Sequence, residues 1–408
     1  MRMARVLTAV ALALMLIPLM SAAAPAPGTI KIGGTLAVTG RFAAEAGPPA
    51  LRFMQEWVKA VNEAGGVNVR SLGRRLPIEL IVYDDESNFD KGVELYEKLA
   101  AVDKVDGFIG PFSSPMTLRV STVAERLNIP MIAVEANDSA IYARNFRWLV
   151  GVLELGFWWS QHYFDMIRAS NEQGLTRYRT FAVVAEDLPH TMDVASGAVF
   201  YGKQAGLELV DLSVWPFPTR DYAAAIAKVR PLNPDIVFLA LWGGSDIAFL
   251  KQAAELGLRP REMHVRFIGA PVLDGVGERA AEGLTGDTYM AAKFMEPRQR
   301  TIYQRMGVDP YDLPWTSIRY AALEAWVKTI EKAGTLDRAR LMETLRDPGL
   351  EFPAHFGTLR FTWGYRQAGR VLGGFGSQKP FVAQYQGGKL RVVWPPSLGD
   401  TTYRPARR

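Results

Sequence analysis

Ser113 and Ser114 stand where a predicted helix begins, directly after a Gly-Pro turn. A serine in this position caps a helix by accepting a hydrogen bond from one of its free backbone N–H groups. The same N–H groups can bind an anion or a carboxylate. Capping alone would explain both serines, so the pair predicts either a structural cap or the anion-binding end of a small-molecule site.

Trp242 is the second residue whose position indicates binding. It ends a predicted buried strand and is followed by Gly243 and Gly244, which let a ligand or another backbone segment approach closely. A tryptophan there is poorly placed for a core and well placed for the wall of a cleft, where its ring would stack on a small ligand. Simple packing at the rim of a lobe is the alternative that the sequence leaves open.

Catalytic and metal-binding patterns are missing from the sequence. The four histidines are scattered and form no HExxH pattern; they are His162, His190, His264 and His355. Neither a GxSxG nucleophile turn nor a GxxxxGK[ST] phosphate loop occurs. The acids at residues 84–86 could attract a cation, although such a run is more typical of a solvated loop. There is no cysteine, which excludes disulfides, thiolate metal sites and cysteine nucleophiles. The sequence therefore predicts a binding protein that is not an enzyme and has no metal or cofactor.

The charge balance argues against nucleic acid as a partner. The whole chain has 47 basic and 42 acidic side chains, a net charge of +5. Arg2 and Arg5 lie in the first 24 residues, so the remainder has 45 basic side chains against the same 42 acids. Three of these positive charges fall in the last five residues, and the others form no basic stripe.

The first 24 residues have the order of a secretory signal peptide. Arg2 and Arg5 precede an apolar run over residues 6–20, and the small residues Ser21 to Ala24 follow it. An uncleaved membrane anchor is the alternative, but the apolar run is short for a span, which needs roughly 20 residues. We therefore predict export to the periplasm or the exterior, with cleavage after Ala23 or Ala24.

The elements that would position Ser114 and Trp242 alternate between strand and helix. In the first half, strands are predicted at 30–38, 77–83, 107–109 and 130–134, and helices at 50–64, 89–102 and 114–127. The pattern restarts with helices at 153–169, 191–205, 222–229 and 245–256, and strands at 180–185, 207–214, 236–241 and 265–269. Helices at 315–333 and 338–345 and short aromatic strands at 356–361, 381–386 and 390–394 would decorate these two lobes. The pattern predicts two α/β lobes, each a doubly wound parallel sheet with helices on both faces.

Ligands of open parallel sheets bind beyond the carboxyl ends of the strands. The segments that follow the predicted strands are 39–45, 84–87, 111–114, 135–138, 186–190, 242–245 and 270–274. Ser113, Ser114 and Trp242 fall in these segments, as does Glu45 at the end of the first. These segments are therefore the candidate walls of a binding cleft.

Six short stretches resemble a known family when they are taken in order. They are IKIGGTLAVTG at 30–40, NEAGGV at 62–67, YDDE at 83–86, FIGPFSS at 108–114, IPMI at 129–132 and PDIVF at 234–238. Their order and spacing resemble the Leu/Ile/Val (branched-chain amino acid) binding proteins of ABC transporters, which are type I periplasmic binding proteins. The likeness extends from residue 30 to about residue 394.

The resemblance implies two lobes joined by a three-stranded hinge, with crossings near residues 152, 291 and 360. The N-terminal lobe would comprise residues 29–152 and 292–360, and the C-terminal lobe residues 153–291 and 361–400, followed by a basic tail at 401–408. It further implies a monomer that closes on its ligand and delivers it to an ABC transporter permease. A receptor of the same fold that presents its ligand to a membrane signalling protein is the alternative function.

The resemblance also implies roles for particular residues. Ser114 corresponds to the serine that holds the ligand's α-carboxylate. Further cleft positions, with backbone or side-chain groups for the ligand, fall on Glu135, Ala136, Asn137 and Trp242, on His190 in place of a tyrosine, and on Pro271 in place of an acid. That acid pairs with the ligand's α-ammonium in the family. Unless Asp274 or Glu135 serves instead, the ligand is expected to be an amino acid relative such as a carboxylate or an amide.

Overall fold

The computed structural model describes residues 28–242, 244–347, 351–353, 358–367 and 370–405. The predicted signal peptide and the last three residues of the predicted basic tail lie outside the described residues. Strands, in chain order, are β1 Ile30–Leu36, β2 Val67–Val69, β3 Arg74–Leu76, β4 Ile78–Asp84, β5 Gly107–Ile109, β6 Met131–Ala133, β7 Leu149–Leu153, β8 Thr180–Glu186, β9 Glu208–Trp215, β10 Ile236–Ala240, β11 Glu262–Val265, β12 Thr285–Thr288, β13 Phe352–Pro353, β14 Thr358–Leu359, β15 Phe361–Thr362, β16 Tyr365–Gln367, β17 Arg370–Leu372, β18 Phe375–Gln378, β19 Phe381–Gln386 and β20 Lys389–Trp394.

The α-helices lie mostly between these strands. They are α1 Ala43–Ala46, α2 Pro48–Glu63, α3 Phe89–Ala101, α4 Ser114–Leu127, α5 Ser139–Tyr142, α6 Gln161–Glu172, α7 Pro189–Gln204, α8 Ala223–Val229, α9 Ser245–Glu255, α10 Ala270–Val276, α11 Glu278–Ala281, α12 Pro297–Met306, α13 Thr316–Ala333 and α14 Arg338–Leu345. Between residues 153 and 169, where the sequence predicts one helix, the chain instead forms a short 3₁₀ turn at Gly156–Trp158 and then α6.

The first lobe is built on a seven-stranded sheet with the order β15-β18-β7-β6-β5-β1-β4. All neighbours are parallel except β15, which pairs antiparallel with β18. Helices cover both faces: Trp57 of α2 and Trp326 of α13 are buried in one core, and Tyr96 of α3 and Val120 of α4 in another. Burial on both faces explains why the central strands β5, β6 and β7 are apolar throughout.

The second lobe is built on another seven-stranded sheet, with the order β20-β19-β12-β11-β10-β8-β9. Its first five strands in the chain, β8 to β12, are parallel, whereas β19 and β20 are antiparallel additions. Phe164 of α6 and Val194 of α7 pack in the core on one side of the sheet, and Tyr222 and Phe249 pack on the other. The two α/β lobes with parallel-sheet cores that the sequence predicts are therefore confirmed.

The chain passes between the two sheets three times. The connections lie between β7 and β8, after β12, and between β18 and β19. The sequence predicts that residues from 361 onwards belong to the second lobe. The strand pairing instead places β15 and β18 in the first sheet. Since β18 extends that sheet beside β7, the third connection lies at residues 379–380 and not near residue 360.

Glu154 lies in the first of these connections and faces the third. Its carboxylate is 3.5 Å from the Lys379 ammonium, and its backbone N–H donates to the carbonyl oxygen of Gln378. Burial nevertheless raises the pKa of Glu154 to about 8, because the lysine only partly compensates the lost hydration. A buried acid therefore links two of the segments that connect the lobes.

We expect Glu154→Gln to gain stability relative to the natural protein as the pH rises. The folded chain keeps the Glu154 proton while the unfolded chain loses it, so between the ordinary pKa and the raised one the natural protein loses up to about 1.4 kcal/mol of unfolding free energy per pH unit. Urea unfolding at pH 5, 6.5 and 8 measures the difference between the two proteins. A pH-independent difference would contradict the assignment, and Glu172→Gln, at an exposed position of α6, is the matched control.

Candidate functional site

A cavity lies between the lobes at the carboxyl ends of both sheets. Its lining from the first lobe comprises Phe112, Ser114, Glu135, Asn137, Leu153, Trp315 and Ile318, and from the second lobe Trp159, His190, Trp242, Arg266 and Phe267. The lobes touch beside it, because Asp193 of α7 accepts hydrogen bonds from the backbone N–H and hydroxyl of Ser139 at 2.8 and 3.1 Å. The cavity is thus the interior of a closed cleft.

Ser114 and Asn137 form the polar wall of the first lobe. Ser114 begins α4, and its hydroxyl oxygen accepts the backbone N–H of Asn137 at 3.1 Å. Both residues are buried, and the Asn137 side-chain Nδ2 has no hydrogen-bond partner among the described residues. The helix start and the loop after β6 are therefore held together, and they offer N–H and O–H donors to the cavity.

Glu135 is the acid of the first-lobe wall, and its charge is compensated from behind. Its carboxylate forms an ion pair with Arg319 of α13, and both side chains are almost fully buried. A buried carboxylate is tolerated when a guanidinium pairs with it, and removing either partner leaves a costly isolated charge. Glu135 is thus bound to the protein itself before any ligand enters.

Aromatic rings form most of the second-lobe wall. The ring centroids of Trp159 and His190 are 5.4 Å apart, and those of His190 and Trp242 are 5.9 Å apart. Phe267 contacts Trp159 at 6.4 Å and reaches across to Trp315 of the first lobe at 5.8 Å. These rings present flat apolar surfaces, which suit an aromatic or aliphatic ligand.

Arg266 places a positive charge in this aromatic wall. It directly follows β11, is 7% exposed, and its Nε donates to the carbonyl oxygen of Leu241 at 2.8 Å. The guanidinium carbon lies 5.7 Å from the Trp159 ring, 5.9 Å from the Trp242 ring and 6.0 Å from the Phe267 ring. The hydrogen bond and the rings orient a planar group whose geometry matches a carboxylate.

His190 contributes a neutral imidazole. Burial, reinforced by the nearby positive charge of Arg266, lowers the pKa of His190 well below its ordinary value. Its Nδ1 is buried and has no hydrogen-bond partner in the described part of the chain. A neutral imidazole has one donor and one acceptor nitrogen, so His190 can hydrogen-bond a ligand without adding charge.

The structure places the sequence-predicted residues as follows. Ser114, Glu135, Asn137, His190 and Trp242 line the cavity together. Ser113 and Ala136 are buried beside lining residues: the Ser113 carbonyl accepts the Thr117 N–H, and the Ala136 carbonyl accepts the Tyr142 hydroxyl. The backbone of Glu45 lies in α1, and its side chain lies outside what the structure describes.

Pro271 does not reach the cavity. It opens α10 and lines a separate cavity with Asp274, Pro48 and Met306. The α-ammonium role that the resemblance assigns to this position is therefore not available there, and Asp274 points to the same separate cavity. Of the two acids considered as substitutes, Glu135 lines the cleft cavity, where it is paired with Arg319.

Sequence reasoning missed Arg266, Phe267, Trp159 and the α13 residues of the lining. The signal for Arg266 was available, since it comes directly after a strand, but the predicted strand ran on to residue 269. The apolar residues Phe267 and Ile268 extend the strand pattern although they follow β11. Trp315 and Ile318 reach the cleft only through the packing of α13, which no local pattern indicates.

Replacing Ser114 with alanine is expected to weaken ligand binding by roughly 5- to 30-fold, or about 1–2 kcal/mol. The change removes the hydroxyl from the cavity and leaves the Asn137 N–H without its acceptor. Titration calorimetry measures the loss, and Thr122→Ala, on the exposed face of the same helix, is the matched control. An affinity equal to that of the control would contradict a binding role for Ser114.

A two-lobed α/β fold that encloses an aromatic and polar cavity between its lobes defines a solute-binding protein that closes around a small molecule. Residues 29–388 match the family model described as "Periplasmic binding protein". The chain therefore belongs to the periplasmic binding protein family, whose members are extracytoplasmic solute binders and not enzymes. The predicted family resemblance and the non-enzymatic class are confirmed.

Individual relatives agree with this assignment. The Leu/Ile/Val-binding protein homolog 7 of Brucella suis biovar 1 is 25% identical over 281 residues, which cover 66% of this chain and 67% of the relative. A leucine binding protein from Thermotoga maritima has a similar fold, with a TM-score of 0.73, 18% identity, and coverage of 91% of this chain and 100% of that one. A solute binding protein of an ABC transporter from R. palustris, in complex with benzoate, has a TM-score of 0.71, 20% identity, and coverage of 93% and 98%.

In the part of the chain that the structure describes, no helix is both long enough and apolar enough to span a bilayer.

Proposed function

We propose that this chain is the extracytoplasmic solute-binding component of an ABC importer and that it closes on a small carboxylate in the interlobe cavity. The observation that carries the proposal is the buried guanidinium of Arg266, which lines the same aromatic cavity as the start of α4 at Ser114. A guanidinium and a helix N-terminus both attract a negative group. An anionic ligand would satisfy both.

The charges around the cavity favour a ligand without an amino group. Glu135 is paired with Arg319, and Arg266 adds a further positive charge to the described lining. Asp287 interacts electrostatically with Arg266 from outside the lining, but it is already hydrogen-bonded to His264 at 3.1 Å. The Arg266 guanidinium would therefore repel a ligand ammonium, and Glu135, the acid of the lining, is already paired with Arg319. A ligand carboxylate would be attracted by Arg266.

The apolar part of the ligand would lie among the rings of the second lobe. Trp159, Trp242 and Phe267 surround Arg266, and Phe112 and Trp315 face them from the first lobe. Flat surfaces of this kind suit an aromatic acid, and the protein of similar fold that binds benzoate supports that choice. The leucine-binding relative keeps amino acids as the competing ligand class.

Export and delivery complete the proposed function. The first 24 residues have the order of a signal peptide, which supports secretion through the cytoplasmic membrane. The similar proteins of ABC transporters support a permease as the partner, and a monomer that closes on one ligand is the simplest functional unit.

A thermal-shift screen over aromatic acids and amino acids tests the proposed ligand class. A ligand that binds only the folded chain stabilises it by about 2.7 kcal/mol at a hundred times its Kd. We expect benzoate and hydroxybenzoates to raise the melting temperature and leucine to leave it unchanged. A rise with leucine and none with the aromatic acids would overturn the ligand class.

A further inference from the structure

We propose that Phe42 determines ligand specificity by closing the end of the ligand cavity, so that its ring limits how long a bound acid can be. The inference rests on the proposed function, because it takes the cavity beside Arg266 as the ligand site. It concerns a residue that does not line that cavity and that follows β1 in the first lobe.

The Phe42 ring lies directly behind two lining residues. Its centroid is 5.2 Å from that of Trp242, with the ring planes 27° apart, and 5.5 Å from that of Phe112. Phe42 is 1% exposed. A first-lobe ring therefore packs against a second-lobe ring and lies behind Phe112 and Trp242, which contact each other with their centroids 5.9 Å apart.

A second cavity begins on the other side of Phe42. Its lining comprises Arg41, Phe42, Phe217, Pro218, Thr219, Arg220, Gly244, Ser245 and Ala248. The Phe42 ring is stacked with Phe217 there, at 6.4 Å and 9° between planes. The same side chain thus lines the outer cavity and supports the wall of the inner one.

The partition depends on the ring and not on the backbone that carries it. The Phe42 backbone N–H donates to the Ser87 hydroxyl at 3.1 Å, and that hydroxyl donates to the Thr39 carbonyl at 2.9 Å. Neither bond involves the ring, so truncating the side chain leaves the loop anchored. Removing the ring should then deprive Phe112 and Trp242 of their support, so that they can move apart and let the two cavities join.

The outer cavity would accept the far end of a longer acid. Arg41 and Arg220 are in its lining, and the Arg41 guanidinium carbon lies 5.0 Å from the Phe42 ring and 5.5 Å from the Phe217 ring. Such a chamber offers aromatic surface together with positive charge. In the natural protein the Phe42 ring would restrict the site to short acids such as benzoate.

Titration of the natural protein and Phe42→Ala with benzoate and biphenyl-4-carboxylate tests this inference. We expect the natural protein to bind benzoate and to bind the biphenyl acid at least about 30-fold more weakly, because a buried wall rejects added volume. Phe42→Ala should bind both acids with similar affinity. Phe42→Val, which retains more apolar volume, should show the same direction if the alanine variant does not fold.

Phe89→Ala is the matched control. The Phe89 ring contacts Phe42 at 6.5 Å but lies in neither cavity lining, so this variant should still exclude the biphenyl acid. If the folded Phe42 variants bind benzoate and continue to exclude the biphenyl acid, Phe42 is not the limiting wall and the proposed function stands. If the natural protein binds neither acid, the proposed ligand class fails and the size limit fails with it.

Discussion

Arg266→Gln is expected to weaken benzoate binding by about 2–5 kcal/mol, which is roughly 30-fold to several-thousand-fold in Kd. The arginine is buried in the cavity wall and oriented by the Leu241 carbonyl. Glutamine retains a polar group of moderate size but removes the charge and the fork of donors that match a carboxylate. Titration calorimetry on the purified variant measures the loss directly.

Two further variants distinguish the loss of the Arg266 charge from a general effect of removing an arginine from this lobe. Arg266→Lys keeps a positive charge without the planar fork, so it should recover part of the affinity. Arg259→Gln removes an exposed arginine of the same lobe and should bind benzoate like the natural protein. Urea unfolding without ligand shows whether Arg266→Gln remains folded. A folded Arg266→Gln variant with full affinity would eliminate the proposed anion site.

Trp242→Ala is the second change expected to have a large effect. Its ring lies against Phe42, Phe112 and His190 and within 5.9 Å of the Arg266 guanidinium carbon. Removing it opens the ligand cavity and deletes a first-to-second-lobe contact. A buried aromatic anchor of this kind contributes about 2–4 kcal/mol to binding, so we expect roughly a 30- to 1000-fold loss of affinity for benzoate.

Two further substitutions test whether the loss of affinity is specific to the Trp242 ring. Trp242→Phe keeps an aromatic surface and should lose less than the alanine variant. Trp148→Ala removes a half-buried ring of the first lobe outside the cavity and should leave the Kd unchanged. Equal affinity in Trp242→Ala and Trp148→Ala, measured by calorimetry on folded proteins, would show that Trp242 packs the rim without binding the ligand.

The sequence predicts the two-lobed architecture well because its strands are buried on both faces. Apolar runs such as β8 and β10, separated by helix-length segments, have few alternatives to parallel sheets. The sheet to which the last strands belong was harder to predict. β15 and β18 are only two and four residues long, and such short strands do not indicate which sheet they join. Their place beside β7 depends on long-range pairing, and for this reason the third crossing was predicted too early.

Only part of the candidate site could be predicted from the sequence. Ser114, Asn137 and Trp242 follow strands, and the strand-end rule together with the family resemblance points to them. Arg266 was overlooked because Phe267 and Ile268 continue an apolar pattern past the true end of β11, although these residues belong to the cavity wall and the core. Apolar cleft residues and apolar strand residues look alike until the fold separates them.

Departures from the family pattern proved more informative than the matches. A proline at the expected amine-binding position shifted the prediction away from ordinary amino acids, and α10 indeed carries Pro271 into another cavity. The sequence could not show that an arginine five positions earlier lines the cleft. Arg266 in the cleft and Pro271 at the expected amine-binding position are together the reason that we propose a carboxylate ligand without an amino group.

The most direct test of this account is a calorimetric titration of the natural protein with benzoate and with benzamide, which have nearly the same shape but differ in charge. We expect one benzoate site per chain and at least about 30-fold weaker binding of benzamide, because only the carboxylate pairs with Arg266. Equal affinity for both compounds, or heat from neither while leucine binds at one site, would contradict a carboxylate-binding cleft.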